Sequence, residues 1–163
     1  MRRIQRITSA VAAVLALTAL AATAAEPVLI RNFNELLPVL KSGVRVRAVF
    51  HYKTMALTVE GKPEENVPDA VGGMGLDTYE YFAAGSVGNK EGFLSFSQTQ
   101  LIRHPRHGYV LNYIKVSVYE SNAVKILAQY LDPKTYEVKM DETFITTMGD
   151  GRNSGGAFFY RPE

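Results

Sequence analysis

The sequence predicts a mainly β protein: a small antiparallel barrel, or a strongly curved sheet of about eight strands, with one N-terminal helical segment. Two observations carry this. Beyond Gly43, aromatic and β-branched residues recur with period two and not with a helical period, and turn residues interrupt the chain at short intervals. No alternation of strands and helices suggests a parallel sheet, and no repeat or second hydrophobic core is visible.

The chain opens on Arg2, Arg3 and Arg6, followed by an uncharged run from Ile7 to Ala22 rich in Ala, Leu and Val. Ala22-Thr23-Ala24-Ala25 supplies the small residues that signal peptidase requires, so residues 1–25 are expected to be a signal peptide cleaved after Ala24 or Ala25, and residues 26–163 a single domain. A run of about 16 residues, mostly Ala, falls short of the ~20 strongly apolar residues that a membrane anchor needs. The leader also decides the charge. The whole chain carries 18 Lys+Arg against 16 Asp+Glu, a formal +2 with a pI near 8.8. Taking away three leader arginines leaves 15 basic and 16 acidic side chains, or −1, which removes the electrostatic footprint of a nucleic-acid binder. The mature chain is therefore expected in the periplasm or outside the cell. With no cysteine, it has no disulfide, thiol nucleophile, cysteine-ligated zinc or lipid-attachment site.

The helix is expected near residues 33–41. Asn32 can cap it with Glu35 three residues on, Phe33, Leu36, Leu37 and Leu40 share a face, and Ser42-Gly43 ends it. Pro38 predicts a kink or two short turns. In the first strand Val44, Val46, Ala48, Phe50 and Tyr52 face one way and Arg45, Arg47 and His51 the other. Met55 to Glu60 makes a second strand, and Gly61 to Gly75 reads as a flexible loop. Further strands are expected at about 76–83, 92–102, 109–119, 123–131, 136–147 and 157–160. The hairpin at 109–131 fixes its own register: a three-residue loop of Glu120-Ser121-Asn122 sets Val118 opposite Val124, Val116 opposite Ile126 and Ile114 opposite Ala128, giving one wholly apolar face. Gly149 to Gly156 lacks the lysine and following helix of a phosphate loop and reads as a mobile connection.

If even-numbered residues of the 136–147 strand point inward with Tyr136, Val138, Met140 and Phe144, Glu142 is internal, with a raised pKa or a cationic partner. A β-bulge at Asp141-Glu142 would instead turn both acids to water, and this alternative carries the greater weight. Arg45, Arg47, His51, Asp77, Tyr79, Tyr113 and Glu142 are the candidate ligand contacts. Arg103, His104, Arg106 and His107 make a basic patch at a hairpin tip. The two histidines are three apart, but the flanking arginines put positive charge where a cation would sit, so neither metal nor cofactor is expected. Asp141 and Glu142 alternate in direction along a strand and so do not form the carboxylate pair of a glycosidase, and no GxSxG elbow exists. No residue is assigned a catalytic role.

The segments Leu40-Lys41-Ser42-Gly43-Val44-Arg45-Val46-Arg47-Ala48-Val49, Gly72-Gly73-Met74-Gly75-Leu76-Asp77-Thr78-Tyr79 and Phe93-Leu94-Ser95-Phe96-Ser97, with the 112–131 hairpin, resemble the bacterial VirK proteins, over about Phe33 to Phe159. The resemblance implies an exported protein associated with virulence or host interaction in plant-associated bacteria, with no assigned biochemical activity. Members often carry a cysteine after the first strand. Thr54-Met55 stands there in this chain, so a role for that thiol does not transfer.

The expected function is an exported, non-enzymatic binding or accessory protein holding a small apolar ligand in a lipocalin-like interior, with that ligand or a host or envelope component as partner. Three alternatives remain: a secreted hydrolase or lyase pairing His51 with Asp77 or Glu142, a scaffold acting through its surface, and an outer-membrane barrel. The last is disfavoured by Lys and Glu on both faces of several strands.

Overall fold

A computed structural model describes residues 26–163; the predicted leader lies outside the described residues. In chain order the elements are β1 (Val28–Ile30), α1 (Phe33–Lys41), β2 (Arg47–His51), β3 (Ala56–Val59), β4 (Lys62–Glu64), β5 (Val71–Gly75), β6 (Glu80–Phe82), β7 (Phe93–His104), β8 (Gly108–Tyr119), β9 (Ala123–Leu131), β10 (Val138–Thr147) and β11 (Ala157–Arg161). They form two antiparallel sheets, a small one in the order β1-β11-β2-β5 and a large one in the order β4-β3-β10-β9-β8-β7-β6. The predicted barrel does not close. Closure needs every edge paired, and here β10 is followed by a turn that carries β11 across to the other sheet, leaving two sheets with their inner faces together.

The shared core is aromatic. Phe159 of β11 meets Phe96 of β7 edge-on, with ring centroids 6.5 Å apart, and Tyr52, in the turn after β2, lies 4.7 Å from the Phe144 ring of β10. Phe50, Val116, Val118, Val124 and Ile126 complete a solvent-free layer. The helix covers one end of it with Phe33, Leu36 and Leu40, and the Phe33 ring reaches Tyr81 on edge strand β6. Its capping is as the sequence predicts: Asn32 Oδ1 accepts from the Glu35 N–H at 3.0 Å, while the Glu35 carboxylate accepts from the Asn32 side chain and the Arg31 N–H. Pro38 neither splits nor ends the helix, which runs unbroken for nine residues. The carbonyl it deprives of a donor belongs to Asn34, which is exposed, so water replaces the lost bond.

The β8–β9 hairpin has the predicted register, with Val118 opposite Val124, Val116 opposite Ile126 and Ile114 opposite Ala128. Asn122 takes a positive φ of 67° in its loop, and its Oδ1 accepts from the Phe33 N–H at 2.7 Å, so the hairpin tip satisfies an orphan donor of the helix. The Gly61–Gly75 segment is not a loop throughout: it contains β4 and β5. Three glycines in five residues hide β5 from propensity, yet the packing needs them. A Cβ on Gly72 would lie 2.9 Å from the Tyr52 ring, and one on Gly75 2.9 Å from the Asp77 carboxylate. The Gly149–Gly156 stretch, expected to be mobile, is a hydrogen-bonded turn in which Asp150 Oδ1 accepts from the Arg152 and Asn153 N–H groups and Asn153 Nδ2 donates to the Met148 carbonyl.

The dual role of Asn122 separates two energies. Asn122→Ala should lower stability by about 2 kcal/mol, through strain at positive φ and loss of the acceptor, whereas Asn122→Gly should cost about 1, since glycine keeps the turn and loses only the acceptor. Urea unfolding of the two variants measures both; equal losses would mean that the bond to Phe33 carries the whole effect.

Candidate functional site

Cross-strand partners share a face, so the register sets out the inner surface of the large sheet row by row. One row reads Phe96, Val116, Ile126, Phe144 and Leu57, all buried. The next reads Gln98, Ile114, Ala128, Glu142 and Val59, and the one after it Gln100, Asn112, Tyr130 and Met140. The face turns from apolar to polar within two rows. Strands β7 and β8 are twelve residues long and those of the small sheet at most five, so the small sheet stops where this change occurs.

The opening between the sheets is a cleft of about 130 Å³ lined by Phe50, Tyr52 and Met74 on one side and by Gln98, Gln100, Asn112 and Ile114 on the other. Gly72 and Gly73 form part of its wall without side chains. Room of this size holds about four waters, or one ring of a small ligand. None of the three carboxamides is hydrogen-bonded to another protein group among the described residues; Gln98 and Gln100 are exposed and Asn112 is half-buried. Their donors and acceptors are free for a ligand.

Glu142 stands beside this cleft, two residues from Phe144 on the same face. The bulge in β10 is real but misplaced by the sequence: the register with β9 shifts between Val138 and Met140, so Glu142 keeps its inward direction opposite Ala128 and Val59. The same shift explains why Val138, predicted inward, is exposed; Tyr136, also predicted inward, is turned out by a positive φ of 59° in the preceding turn. Partial burial raises the Glu142 pKa. Burial also raises that of the Tyr52 hydroxyl, with the Glu142 charge adding to it. The pair therefore presents a proton-rich, uncharged surface more readily than two exposed groups would.

The other predicted residues do not join this site. Arg45, Arg47 and Asp77 come together, but around a depression at the opposite end of the small sheet. His51 lies on that sheet's outer face, its ring edge-on to Phe158 at 5.4 Å, four residues along β2 from the Asp77 end and across the sheet from Glu142. Tyr79 packs against the core, and Tyr113 points to the outer face of the large sheet, between Thr99 and Gln129. Arg103, His104, Arg106 and His107 occupy the β7–β8 tip as expected. There the two imidazoles stack at 4.8 Å beside Tyr130, and His104 Nδ1 accepts from the Arg106 and His107 N–H groups. No cluster of three or more metal-ligating side chains occurs among the described residues. Sequence reasoning missed Gln98, Gln100 and Asn112; Tyr52, read as inward-facing, packs on the core and also lines the cleft. The signal was present in β7, whose inward positions run Leu94, Phe96, Gln98, Gln100.

Because the folded pKa of Glu142 lies above its ordinary value of 4.5, the native state binds the extra proton, and stability falls as pH rises from that value through the folded pKa. Glu142→Gln should remove this slope and stabilise the protein at neutral pH by about 0.5 kcal/mol, the carboxyl being still partly solvated, with no gain in acid. Thermal unfolding from pH 4 to 7 tests this; parallel curves for the two proteins would place Glu142 in water.

No helix among the described residues is long and apolar enough to cross a membrane. Comparison with curated proteins finds no match. Among solved structures, the crystal structure of lpg1832, a VirK family protein from Legionella pneumophila, matches with a TM-score of 0.61 at 17% sequence identity, over 81% of this chain and 98% of that one. The likeness is one of fold. The family model described as VirK protein matches residues 30–136, and together with the fold this shows that the chain belongs to the VirK family.

Proposed function

We propose that the protein acts, after export, as a non-enzymatic binding or accessory protein whose recognition surface is the inter-sheet cleft, and that its ligand is a small neutral polyhydroxylated group such as a sugar ring. The observation that carries this reading is the pair of rows in which Gln98, Gln100 and Asn112 take the place of apolar residues on the inner face, without side-chain partners among the described residues. Carboxamides offer a donor and an acceptor side by side, which matches neighbouring hydroxyls, and Phe50 and Tyr52 supply the flat apolar faces that C–H surfaces of a sugar pack on. Export is supported by the leader-like N-terminus, and a role in virulence or host interaction by the VirK family alone.

The packing of the core argues against the apolar ligand expected from sequence. Phe50, Phe96, Phe144 and Phe159 fill the space between the sheets where a lipocalin-like interior would be. Placement argues against a hydrolase built on His51: Asp77 sits at the Arg47 end of β2, four residues along the strand from that ring, and Glu142 is on the inner face of the large sheet. Native mass spectrometry of protein purified from its own periplasm or culture medium should show a retained neutral mass, or else titration with mono- and disaccharides should move the amide signals of Gln98, Gln100 and Asn112. Gly72→Val, which fills the cleft through the Tyr52 contact, should abolish either effect. An apo mass together with unmoved cleft signals would overturn the reading.

A further inference from the structure

A second concavity, of about 610 Å³, lies at the far end of the small sheet, and its wall includes three arginines, Arg45, Arg47 and Arg161, with Tyr160. Arg45, just before β2, and Arg47, its first residue, both line the concavity, and Arg47 stands between Tyr160 of β11 and Gly75 of β5 in one cross-strand row. Gly75 adds no side chain, so backbone forms the floor there. Arg161 Nη1 donates to the Pro162 carbonyl at 3.1 Å, which holds that guanidinium at the rim. Asp77 is the one acid in the wall, folded over Gly75. Among the described residues none of the three guanidiniums is within 4.0 Å of a carboxylate; the ion pair there is Lys139–Glu137, at the start of β10.

Three like charges gathered around one depression repel one another, and a single carboxylate offsets only one of them. Planar guanidiniums bind oxyanions through paired N–H donors, and the Tyr160 hydroxyl adds a neutral donor beside them. One negative charge would be met by one arginine. We propose that this concavity binds a ligand carrying at least two negative oxyanion charges, of the phosphate-ester or pyrophosphate class. This site is independent of the cleft and shares no residue with it.

The test is titration of the protein with inorganic pyrophosphate, followed by amide NMR, in parallel with co-sedimentation on phosphatidylcholine vesicles with and without phosphatidylglycerol. Saturable binding that moves the Arg47, Gly75 and Tyr160 signals is expected. Arg47→Gln should weaken it about tenfold, and Asp77→Asn should strengthen it severalfold, by removing the carboxylate that competes with the ligand. Two variants that act in opposite directions cannot both reflect a damaged fold. Saturable vesicle binding competed by pyrophosphate would identify the source as a lipid headgroup; pyrophosphate binding alone, a soluble phosphate ester. Absence of saturable binding in both arms overturns the proposal, as does equal weakening by Lys115→Gln, a substitution on an exposed lysine of the large sheet that alters only net charge.

Discussion

A sheet with twelve-residue strands is covered by one whose strands have at most five, and the rest of the architecture follows from that mismatch. At about 3.4 Å per residue the long strands extend some 40 Å and the short ones about 17 Å, so the short strands can roof less than half the length of β7 and β8. The helix covers one end, where Phe33 reaches Tyr81. Phe159 and Phe50 cover the middle. Beyond them the roof ends, and there the inner face exchanges Phe and Val for Gln, Asn and Glu.

This boundary also sets the chemistry of the cleft. A carboxyl one row nearer Phe96 would have to be neutral or paired, while one at the far tip would titrate as in water. Glu142 lies at the transition, partly desolvated, with a pKa raised by burial and no cationic partner among the described residues. Tyr52 is placed against it because the chain crosses between sheets there, turning immediately after β2 to begin β3. Gly72 makes space for that ring, so a glycine poor in strand propensity is required inside a strand.

The small sheet's outer face has a different electrostatic character. Its glycine-bearing edge leaves Arg47 unshielded by a neighbouring side chain on the β5 side, and the chain's last strand brings Tyr160 and Arg161 to the same end. The sequence separates these residues by more than a hundred positions. Only the pairing of β11 with β2 makes them neighbours.

Local order was legible in the residues themselves. Capping by Asn32 and Glu35 and the register of the 109–131 hairpin depend on contacts a few residues apart, and period-two patterning fixes which side of β2, β8 and β9 is apolar. Strands β1 and β4, with three residues each, are too short to show a period, and β5 is glycine-rich for reasons that lie in Tyr52 and Asp77 rather than in its own propensity. Whether the strands close into a barrel depended on which edges pair, a long-range choice that alternation does not encode. The inward direction of Glu142 likewise turned on the location of one bulge. The sequence by itself determined the β class and the apolar faces of the long strands, because those depend on side-chain type and spacing. The tertiary structure decided two sheets instead of a barrel, and which polar residues meet, because these depend on where a short sheet ends over a long one.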